Sequence, residues 1–391
     1  MPQQFASRVE NLLPEGAYAV MAQANALEAQ GKQVIHLEIG QPYSDTFAHI
    51  SKAGMDAIQQ GYTRYNPPAG VPDLRGAIAR YAGAQRNMDI DPKQVVVGPG
   101  AKPGLFFPTL ALINPGDEVI YPDPGFPTYP AMIEIAGGTP IPVPLCEENN
   151  FSLDLPALKA LINDRTRMII LNSPANPTGG VLQIQDLEFI AKIAIDHQIW
   201  VMSDEIYSRL VYDADSSPSI AAMPGMAERT IIIDGFSKTY AMTGWRLGYG
   251  IMPEEIANRV ELLLTHSIGC TATFTQIAGI HALTSSQERI ISQTLDYQRR
   301  RDLLVEGLNK IPGVRCQKPQ GAFYAFPNVS AFGIPVRQLA RQLLTQAGVA
   351  VIPGTDFGKL GEGYLRLCFA TSPGELELAI EKMTLFFSTI Y

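Results

Sequence analysis

The chain has 391 residues, of which 46% are hydrophobic and 17% charged, and its formal net charge is −8. This length and composition predict a globular protein of two domains with a large core. The negative charge and the lack of any Lys- or Arg-rich block argue against nucleic-acid binding. No apolar run is long enough to span a membrane, and the opening MPQQFASRVE has no signal-peptide core, so we expect a cytoplasmic protein without a membrane span.

The cysteines and histidines do not indicate a metal site. The four cysteines lie far apart in the sequence and form no CxxC pair, and the five histidines form no HExxH pattern. We therefore expect free, buried thiols and no bound metal.

The first predicted elements are a helix and a short strand. Apolar residues at helical spacing, Leu13 among them, predict a helix over residues 5–31 despite Pro14. A strand over 34–39 follows and ends at Gly40. This glycine fits either an ordinary turn or a point where another group approaches the backbone closely.

A glycine-rich turn, 98–104, connects a strand at 94–97 to a helix at 105–113. Free N–H groups and the positive end of the helix dipole make such a turn an anion site. A dinucleotide fingerprint is an alternative, with Asp123 as the acid that binds the ribose. It is disfavoured because Pro103 takes the place of the third glycine. It also leaves unexplained three residues further along the chain, Asp204, Lys238 and Arg246.

Two further buried strands end at candidate site residues. The strand at 118–121 leads to Phe126, whose ring either fills the edge of the core or stacks on a flat ligand. The strand at 167–171 runs into a Pro- and Gly-rich turn that holds Asn176.

The central segment contains the most reactive side chains. Two apolar runs, 199–202 and 230–233, have the character of parallel strands buried on both faces. The carboxyl ends of such strands face a ligand crevice, so an acid, a phenol, an amine and a guanidinium are expected to converge there. These four are Asp204, Tyr207, Lys238 and Arg246. They suit pyridoxal phosphate, which needs a Schiff-base lysine and an acidic partner for its ring nitrogen.

Arginines dominate the C-terminal part. The run 299–301 lies in a predicted helix over 286–310 and is expected to form a solvated face. Arg366 alternates with apolar residues on a strand at 364–367. An arginine in such a pattern needs a partner, which is either an acid of the protein or the carboxylate of a substrate.

The motifs SDEIY, SKxxxMxGWRLGY, NPTG and YxPPAGxPxLR together resemble the class I/II aminotransferases, which are fold-type I pyridoxal-phosphate enzymes. The resemblance extends over nearly the whole chain. It implies that Lys238 forms the Schiff base and shuttles the proton, and that Asp204 pairs with the pyridine nitrogen. It also implies that Tyr207 and Asn176 donate to the phenolic oxygen of the cofactor.

The resemblance also implies how the cofactor phosphate and ring are held. Arg246 and the hydroxyl of Ser237 would bind the phosphate together with the glycine-rich turn, and Phe126 would stack on the ring. The candidates in the turn are Gly100, Ala101 and Lys102.

Three more residues receive roles by resemblance. Arg366 would clamp the substrate α-carboxylate, with Gly40 and Asn176 beside it. Tyr65 would reach the cofactor phosphate of a second subunit, which implies a homodimer with shared active sites.

The implied fold has a large α/β domain, 50–285, with a mostly parallel central sheet flanked by helices. A smaller discontinuous α+β domain would comprise 1–49 and 286–391. The implied function is ping-pong transfer of an amino group from an L-amino acid to a 2-oxo acid, with 2-oxoglutarate as the expected acceptor. Lys102 favours an acidic donor such as aspartate, whereas Phe126 would equally accept alanine or aromatic donors.

Two alternatives remain open at this point. A β-lyase or an aminocyclopropane-carboxylate-type synthase would share every cofactor residue. A non-enzymatic effector-binding module of a regulator is disfavoured, because no basic DNA-binding helix is evident before the large domain.

Overall fold

The computed structural model of the protein describes residues 5–10, 12, 14–214 and 216–390. The helices are α1 (Ser7–Glu10), α2 (Gly16–Glu28), α3 (Ala48–Gln59), α4 (Pro72–Arg86), α5 (Lys102–Leu112), α6 (Thr128–Ala136), α7 (Leu155–Leu161), α8 (Ile184–Asp196), α9 (Glu254–Thr265), α10 (Thr273–Thr284), α11 (Glu288–Leu308), α12 (Val336–Gln342) and α13 (Pro373–Ser388). The strands are β1 (Ile35–His36), β2 (Val95–Gly98), β3 (Glu118–Asp123), β4 (Thr139–Cys146), β5 (Ser152–Leu153), β6 (Thr166–Asn172), β7 (Trp200–Asp204), β8 (Thr230–Gly235), β9 (Gly248–Ile251), β10 (Tyr324–Ala325), β11 (Val349–Ala350), β12 (Ile352–Pro353) and β13 (Leu365–Cys368).

A large central sheet dominates the fold, with strand order β2-β9-β8-β7-β6-β3-β4-β5. Strands β4, β3, β6, β7 and β8 run parallel, whereas β9 is antiparallel to both of its neighbours. The Val- and Ile-rich interiors of β7 and β8 are buried, because apolar clusters cover the sheet on both faces. The predicted α/β fold is confirmed.

The register of the sheet determines where its polar strand ends meet. Asn172 at the end of β6 pairs with Asp204 at the end of β7, which pairs in turn with Ile233 of β8. Parallel strands have their carboxyl ends at one edge, so the turns after β6, β7 and β8 open on one crevice.

Two small sheets lie outside the central one. Strand β1 pairs in parallel with β11, and β13 lies between β10 and β12 in a three-stranded antiparallel sheet. The pairing of β1 with β11 brings the N-terminal segment to the C-terminal part of the chain. The proposed domain boundaries, 49/50 and 285/286, remain a prediction.

Two sequence-based expectations are wrong. The predicted helix over 5–31 is two helices, α1 and α2, on either side of Pro14, which cannot donate a helical hydrogen bond; Leu13 lies outside the described residues. The arginine run is solvated only at Arg299, since Arg300 and Arg301 are both buried. Arg301 pairs with Asp213 at 2.8 Å and with its neighbour in the chain at 2.9 Å, and these partners offset the cost of burying its charge.

In the part of the chain that the structure describes, all four cysteines are unpaired. No group of three or more potential metal ligands comes together within the same residues. None of the helices among them is both long and apolar enough to cross a membrane.

Candidate active site

Lys238 lies in the turn after β8, at the edge of the central sheet. Its Nζ donates to the carbonyl oxygen of Gly40 at 2.6 Å. The ring centroids of Tyr207 and Phe323 lie 5.9 Å and 5.6 Å from Nζ. Burial lowers the pKa of Lys238 to about 8, and the positive charges of Arg366 and Arg246 act in the same direction. A substantial fraction of this amine is therefore neutral in mildly alkaline solution and able to act as a nucleophile.

Asp204 ends β7 and is buried. The hydroxyl of Tyr129 donates to Asp204 Oδ2 at 2.8 Å, and the backbone N–H of Ile206 donates to Oδ1 at 3.3 Å. Burial raises the pKa of Asp204 to about 6, although these two hydrogen bonds oppose the shift. A carboxylate with so few partners at such depth is suited to a cationic partner.

An ion-pair cluster lies next to this carboxylate. Arg86 Nε donates to Glu205 at 2.7 Å and its Nη2 donates to Asp234 at 3.0 Å, with all three side chains buried. Burial alone would lower the pKa of Arg86, but the two carboxylates raise it overall. The cluster thus holds two acids at the start of the turns after β7 and β8, and their negative charges contribute to the raised pKa of Asp204.

Two tyrosines meet at the centre of the site. The hydroxyl oxygens of Tyr207 and Tyr324 lie 2.8 Å apart. Burial raises the pKa of Tyr207 well above its ordinary value, so it stays a protonated hydroxyl. Gly40 is needed here for space, because a Cβ at this position would collide with the Tyr324 hydroxyl.

Arg366 is 4% exposed and has no acidic partner among the described residues. Its Nη1 donates to Asn176 Oδ1 at 3.3 Å, and its Nη2 donates to the carbonyl of Glu38. Its Nε is buried without a hydrogen-bond partner. The guanidinium lies 4.6 Å from the ring centroid of Tyr324 and 5.0 Å from that of Phe357. A buried cation without an anionic partner favours the binding of an anionic ligand.

The glycine-rich turn forms a cradle with Arg246. Gly100 has φ +89°, and a Cβ there would collide with the Arg246 guanidinium. A Cβ on Gly248 of β9 would in turn strike the backbone of Gly100 and Ala101. Arg246 is exposed and donates to the carbonyl of Thr243 at 2.8 Å. Because α5 begins at Lys102, directly after Gly100 and Ala101, the free N–H groups of its first turn lie next to this cradle.

Phe126 lies beside these groups, at the start of the segment that leads into α6. Its ring meets the Tyr129 ring edge-on, with centroids 5.7 Å apart, and Lys102 Nζ is 5.4 Å from the Phe126 centroid. Lys102 also forms an ion pair with Glu15, the residue that precedes α2. The Phe126 ring therefore lies between Tyr129, which bonds the buried Asp204, and the half-exposed Lys102.

Two predicted residues are not brought into these contacts. Tyr65 is 99% exposed. Ser237 is half-buried next to Lys238 in the turn after β8.

Sequence reasoning missed three residues that hold the site together. Tyr129 bonds Asp204, and Tyr324 bonds Tyr207. Asn172 accepts from the Asn176 N–H at 2.8 Å and donates to the carbonyl of Asp204 at 3.0 Å, so it links two turns. Of these three, only Asn172 could have been found from the sequence, because it is a polar residue directly at the end of a predicted strand.

Comparison with known proteins identifies the family of the chain. The profile of the aminotransferase class I and II family matches residues 32–383. An aspartate aminotransferase from Pyrococcus abyssi is 41% identical over 90% of this chain and 91% of its own. An aromatic-amino-acid aminotransferase from Thermococcus litoralis is 38% identical over 91% and 92% of the two chains. The crystal structure of an aspartate aminotransferase from Rhizobium meliloti covers 100% of both chains with a TM-score of 0.95 at 34% identity.

The fold is that of a pyridoxal-phosphate-dependent aminotransferase. The chain belongs to the class I and II aminotransferases, and it is an enzyme of amino-acid transamination. The side chains present fit the cofactor: a lysine of lowered pKa, a buried acid, and a glycine cradle packed on an arginine. The resemblance inferred from the motifs is confirmed, and the nucleotide-binding and effector-module alternatives are set aside.

Proposed function

We propose that this aminotransferase uses 2-oxoglutarate as acceptor and takes both aspartate and uncharged amino acids as donors. The observation that carries the assignment to amino and 2-oxo acids is Arg366, a buried guanidinium without an acidic partner among the described residues and with one N–H unsatisfied. Every amino acid and 2-oxo acid has a carboxylate next to the reacting carbon. A bidentate contact to Arg366, with Asn176 and Gly40 alongside, would fix that carbon near Lys238.

We assign the cofactor contacts residue by residue. Lys238 would hold pyridoxal phosphate covalently and, once released, would carry the proton between the substrate carbon and the cofactor. Asp204 would keep the pyridine nitrogen protonated, and Tyr207 and Asn176 would donate to the phenolic oxygen. The bound cofactor supplies an electron sink for the substrate carbanion.

The phosphate and ring contacts follow from the cradle. The backbone of Gly100 and Ala101 and the first turn of α5 would hold the phosphate with Arg246 and the Ser237 hydroxyl. Phe126 would stack on the ring. Since Phe126 offers no polar hydrogen, all phosphate hydrogen bonds must come from the other groups.

The mouth of the site supports a broad range of donors. Lys102 places an ammonium over Phe126, which suits a second carboxylate such as that of aspartate. The Phe126 ring itself suits alanine or an aromatic side chain. Relatives named for aspartate and for aromatic amino acids both match most of this chain.

The active unit is proposed to be a homodimer that shares its sites. Exposed apolar side chains, Tyr43, Met55 and Ile58, line a groove that also contains Arg246. The loop that holds Tyr65 is fastened to this groove, because Asn66 donates to the carbonyl of Thr271 in its wall at 2.8 Å. A second copy would cover the groove and bring its own Tyr65 to the phosphate. The unpaired cysteines support a reducing compartment, the cytoplasm.

Titration of the purified holoprotein with single amino acids tests the function. We expect aspartate, alanine and phenylalanine each to bleach the cofactor band, and 2-oxoglutarate to restore it with formation of glutamate. Ammonia release without glutamate would instead indicate a lyase. Bleaching of the cofactor band without any added amino acid would overturn the proposal.

Mixed dimers test the shared site. Lys238→Ala and Tyr65→Ala are expected to be inactive separately. After unfolding and refolding together, random pairing restores one complete site in each hybrid, so we expect about a quarter of the wild-type activity. No recovery in hybrids of confirmed composition would show that Tyr65 does not act across the interface.

A further inference from the structure

The Lys102 ammonium already has an anionic partner within the same chain. Its partner is the carboxylate of Glu15, a residue 87 positions earlier in the chain. The Thr128 hydroxyl also approaches this carboxylate, at 3.4 Å. The pair is not deeply buried, since the Lys102 and Glu15 side chains remain 50% and 28% exposed.

Packing places this pair between the cofactor side and the carboxylate side of the site. Lys102 lies over Phe126 on one side. On the other, Gly16 is pressed against Asp356, where a Cβ would collide with the carboxylate. The next residue, Phe357, stacks on Arg366 at 5.0 Å. These contacts connect the Glu15–Lys102 pair to Phe126 on one side and to Arg366 on the other, the two residues proposed to hold the cofactor ring and the substrate α-carboxylate.

We propose that Glu15 is a specificity-determining residue, a removable counter-ion that occupies Lys102 until the second carboxylate of a dicarboxylate substrate replaces it. The proposal rests on the proposed function and deepens it. With an uncharged donor, Glu15 stays on Lys102 and leaves no unpaired cation beside the apolar side chain. With aspartate or 2-oxoglutarate, two carboxylates compete for one ammonium, and Glu15 turns outward to water.

The exchange needs little free energy because the pair is only partly buried. Surface ion pairs are weak, so displacement of Glu15 penalises dicarboxylates only mildly. One site can thus serve an uncharged donor in one half-reaction and a dicarboxylate acceptor in the other.

The test is Glu15→Gln in the holoenzyme, with kcat/KM measured for aspartate, 2-oxoglutarate, alanine and phenylalanine. We expect the preference for dicarboxylates over uncharged substrates to rise about two- to fivefold, the range that loss of an exposed ion pair allows. Glu254→Gln is the matched control, since Glu254 forms an exposed pair with Lys93 at 3.8 Å on the outer surface and its change alters the net charge equally. An unchanged or lowered preference in Glu15→Gln would overturn the proposal.

Binding of unreactive ligands gives a second readout. Succinate should bind Glu15→Gln more tightly than wild type relative to butyrate, and the difference should shrink in high salt. In a Lys102→Gln background, Glu15→Gln should no longer change the succinate-to-butyrate ratio. If the ratio still changes there, Glu15 acts by another route and the proposal is wrong. Amino acids that fail to bleach the cofactor band would refute the proposed function itself, whereas normal bleaching with an unaltered preference refutes only the role of Glu15.

Discussion

The hydroxyl of Tyr129 donates to Asp204 Oδ2 at a distance of 2.8 Å, and both side chains are buried. Tyr129 stands in the first turn of α6, three residues after Phe126, so the same short segment supplies the aromatic face and the support of the acid. The bond holds one carboxylate oxygen in place and favours its charged form. The orientation of the acid that would meet the pyridine nitrogen therefore depends on a phenol.

Replacement of this phenol should weaken cofactor binding in a pH-dependent way. Asp204 has a raised pKa of about 6, so it is ionised above that pH and loses its charge as the pH falls through it. Tyr129→Phe removes a donor that opposes the shift, and the pKa should rise further by about one to two units. Pyridoxal-phosphate affinity of the apoprotein, measured from pH 5.5 to 8.5, should fall most at the acidic end.

The control for this variant is Tyr121→Phe. The pKa of Tyr121 is raised by burial and by Asp123, and Asp204 is not among its causes. We expect the pyridoxal-phosphate affinity of Tyr121→Phe to depend on pH as it does in the wild-type protein. An equal loss at every pH in Tyr129→Phe would mean that the tyrosine only fills space.

The tyrosine pair at the centre of the site should tune the cofactor spectrum. Tyr207 can donate its single proton to the cofactor only if Tyr324 donates to Tyr207. Tyr324→Phe removes that donor and weakens the hydrogen bond from Tyr207, so the pKa of the bound chromophore should rise by up to about one unit. Absorbance of the holoprotein as a function of pH measures this shift directly.

Tyr212→Phe provides the comparison for the tyrosine pair, since the Tyr212 hydroxyl donates to the carbonyl of Ala322 in the same core. Loss of this hydrogen bond should reduce the stability of the protein and leave the pKa of the chromophore unchanged. Identical titration curves for wild type and Tyr324→Phe would contradict the proton direction argued above.

Arg366→Lys should damage catalysis far more than stability. Lysine keeps the charge but loses the planar fork that grips a carboxylate with two parallel hydrogen bonds. A contact of this kind contributes about 1.5–3 kcal/mol, so kcat/KM should fall roughly ten- to hundredfold for every donor alike. Steady-state kinetics with aspartate, alanine and phenylalanine, together with thermal unfolding, check the expectation.

Arg337→Lys serves as the matched substitution, because the Arg337 side chain is 68% exposed and pairs with Asp356. We expect near wild-type kinetics from it. A loss in Arg366→Lys restricted to aspartate would place this arginine on the side-chain carboxylate instead.

The lowered pKa of Lys238, about 8, predicts how fast the apoprotein captures pyridoxal phosphate. Only the neutral amine attacks an aldehyde, and the amine is protonated below its pKa. The capture rate should therefore rise with pH through about 8 and level off above it. Stopped-flow absorbance from pH 6.5 to 9.5 measures the profile, and a midpoint near 10.5, the ordinary lysine value, would show that burial does not tune this lysine.

The fold and most of the candidate site could be predicted from the sequence because strand ends and motifs are local features. Asp204 and Lys238 follow apolar runs, and parallel pairing of β7 and β8 is enough to bring their turns together. The supporting contacts depend on long-range packing. Tyr324 is 117 positions from Tyr207 and Glu15 is 87 from Lys102, and no periodicity in the sequence relates such pairs.

The prediction that the arginine run forms a solvated face was wrong for a related reason. A cluster of charge is usually solvated, but burial of Arg301 depends on Asp213, which lies 88 positions away. The prediction of one N-terminal helix was wrong because the apolar spacing continues across Pro14, whereas the helical hydrogen bonding of the backbone does not.

The most direct test of the account is reduction of the holoprotein with borohydride, followed by peptide mapping. The reduced pyridoxyl group should be found on Lys238 alone, in the turn after β8, and Lys238→Ala should bind the cofactor without a covalent link. A label on another lysine, or full turnover by Lys238→Arg, would contradict the central claim that this partly buried amine next to Gly40 carries the chemistry.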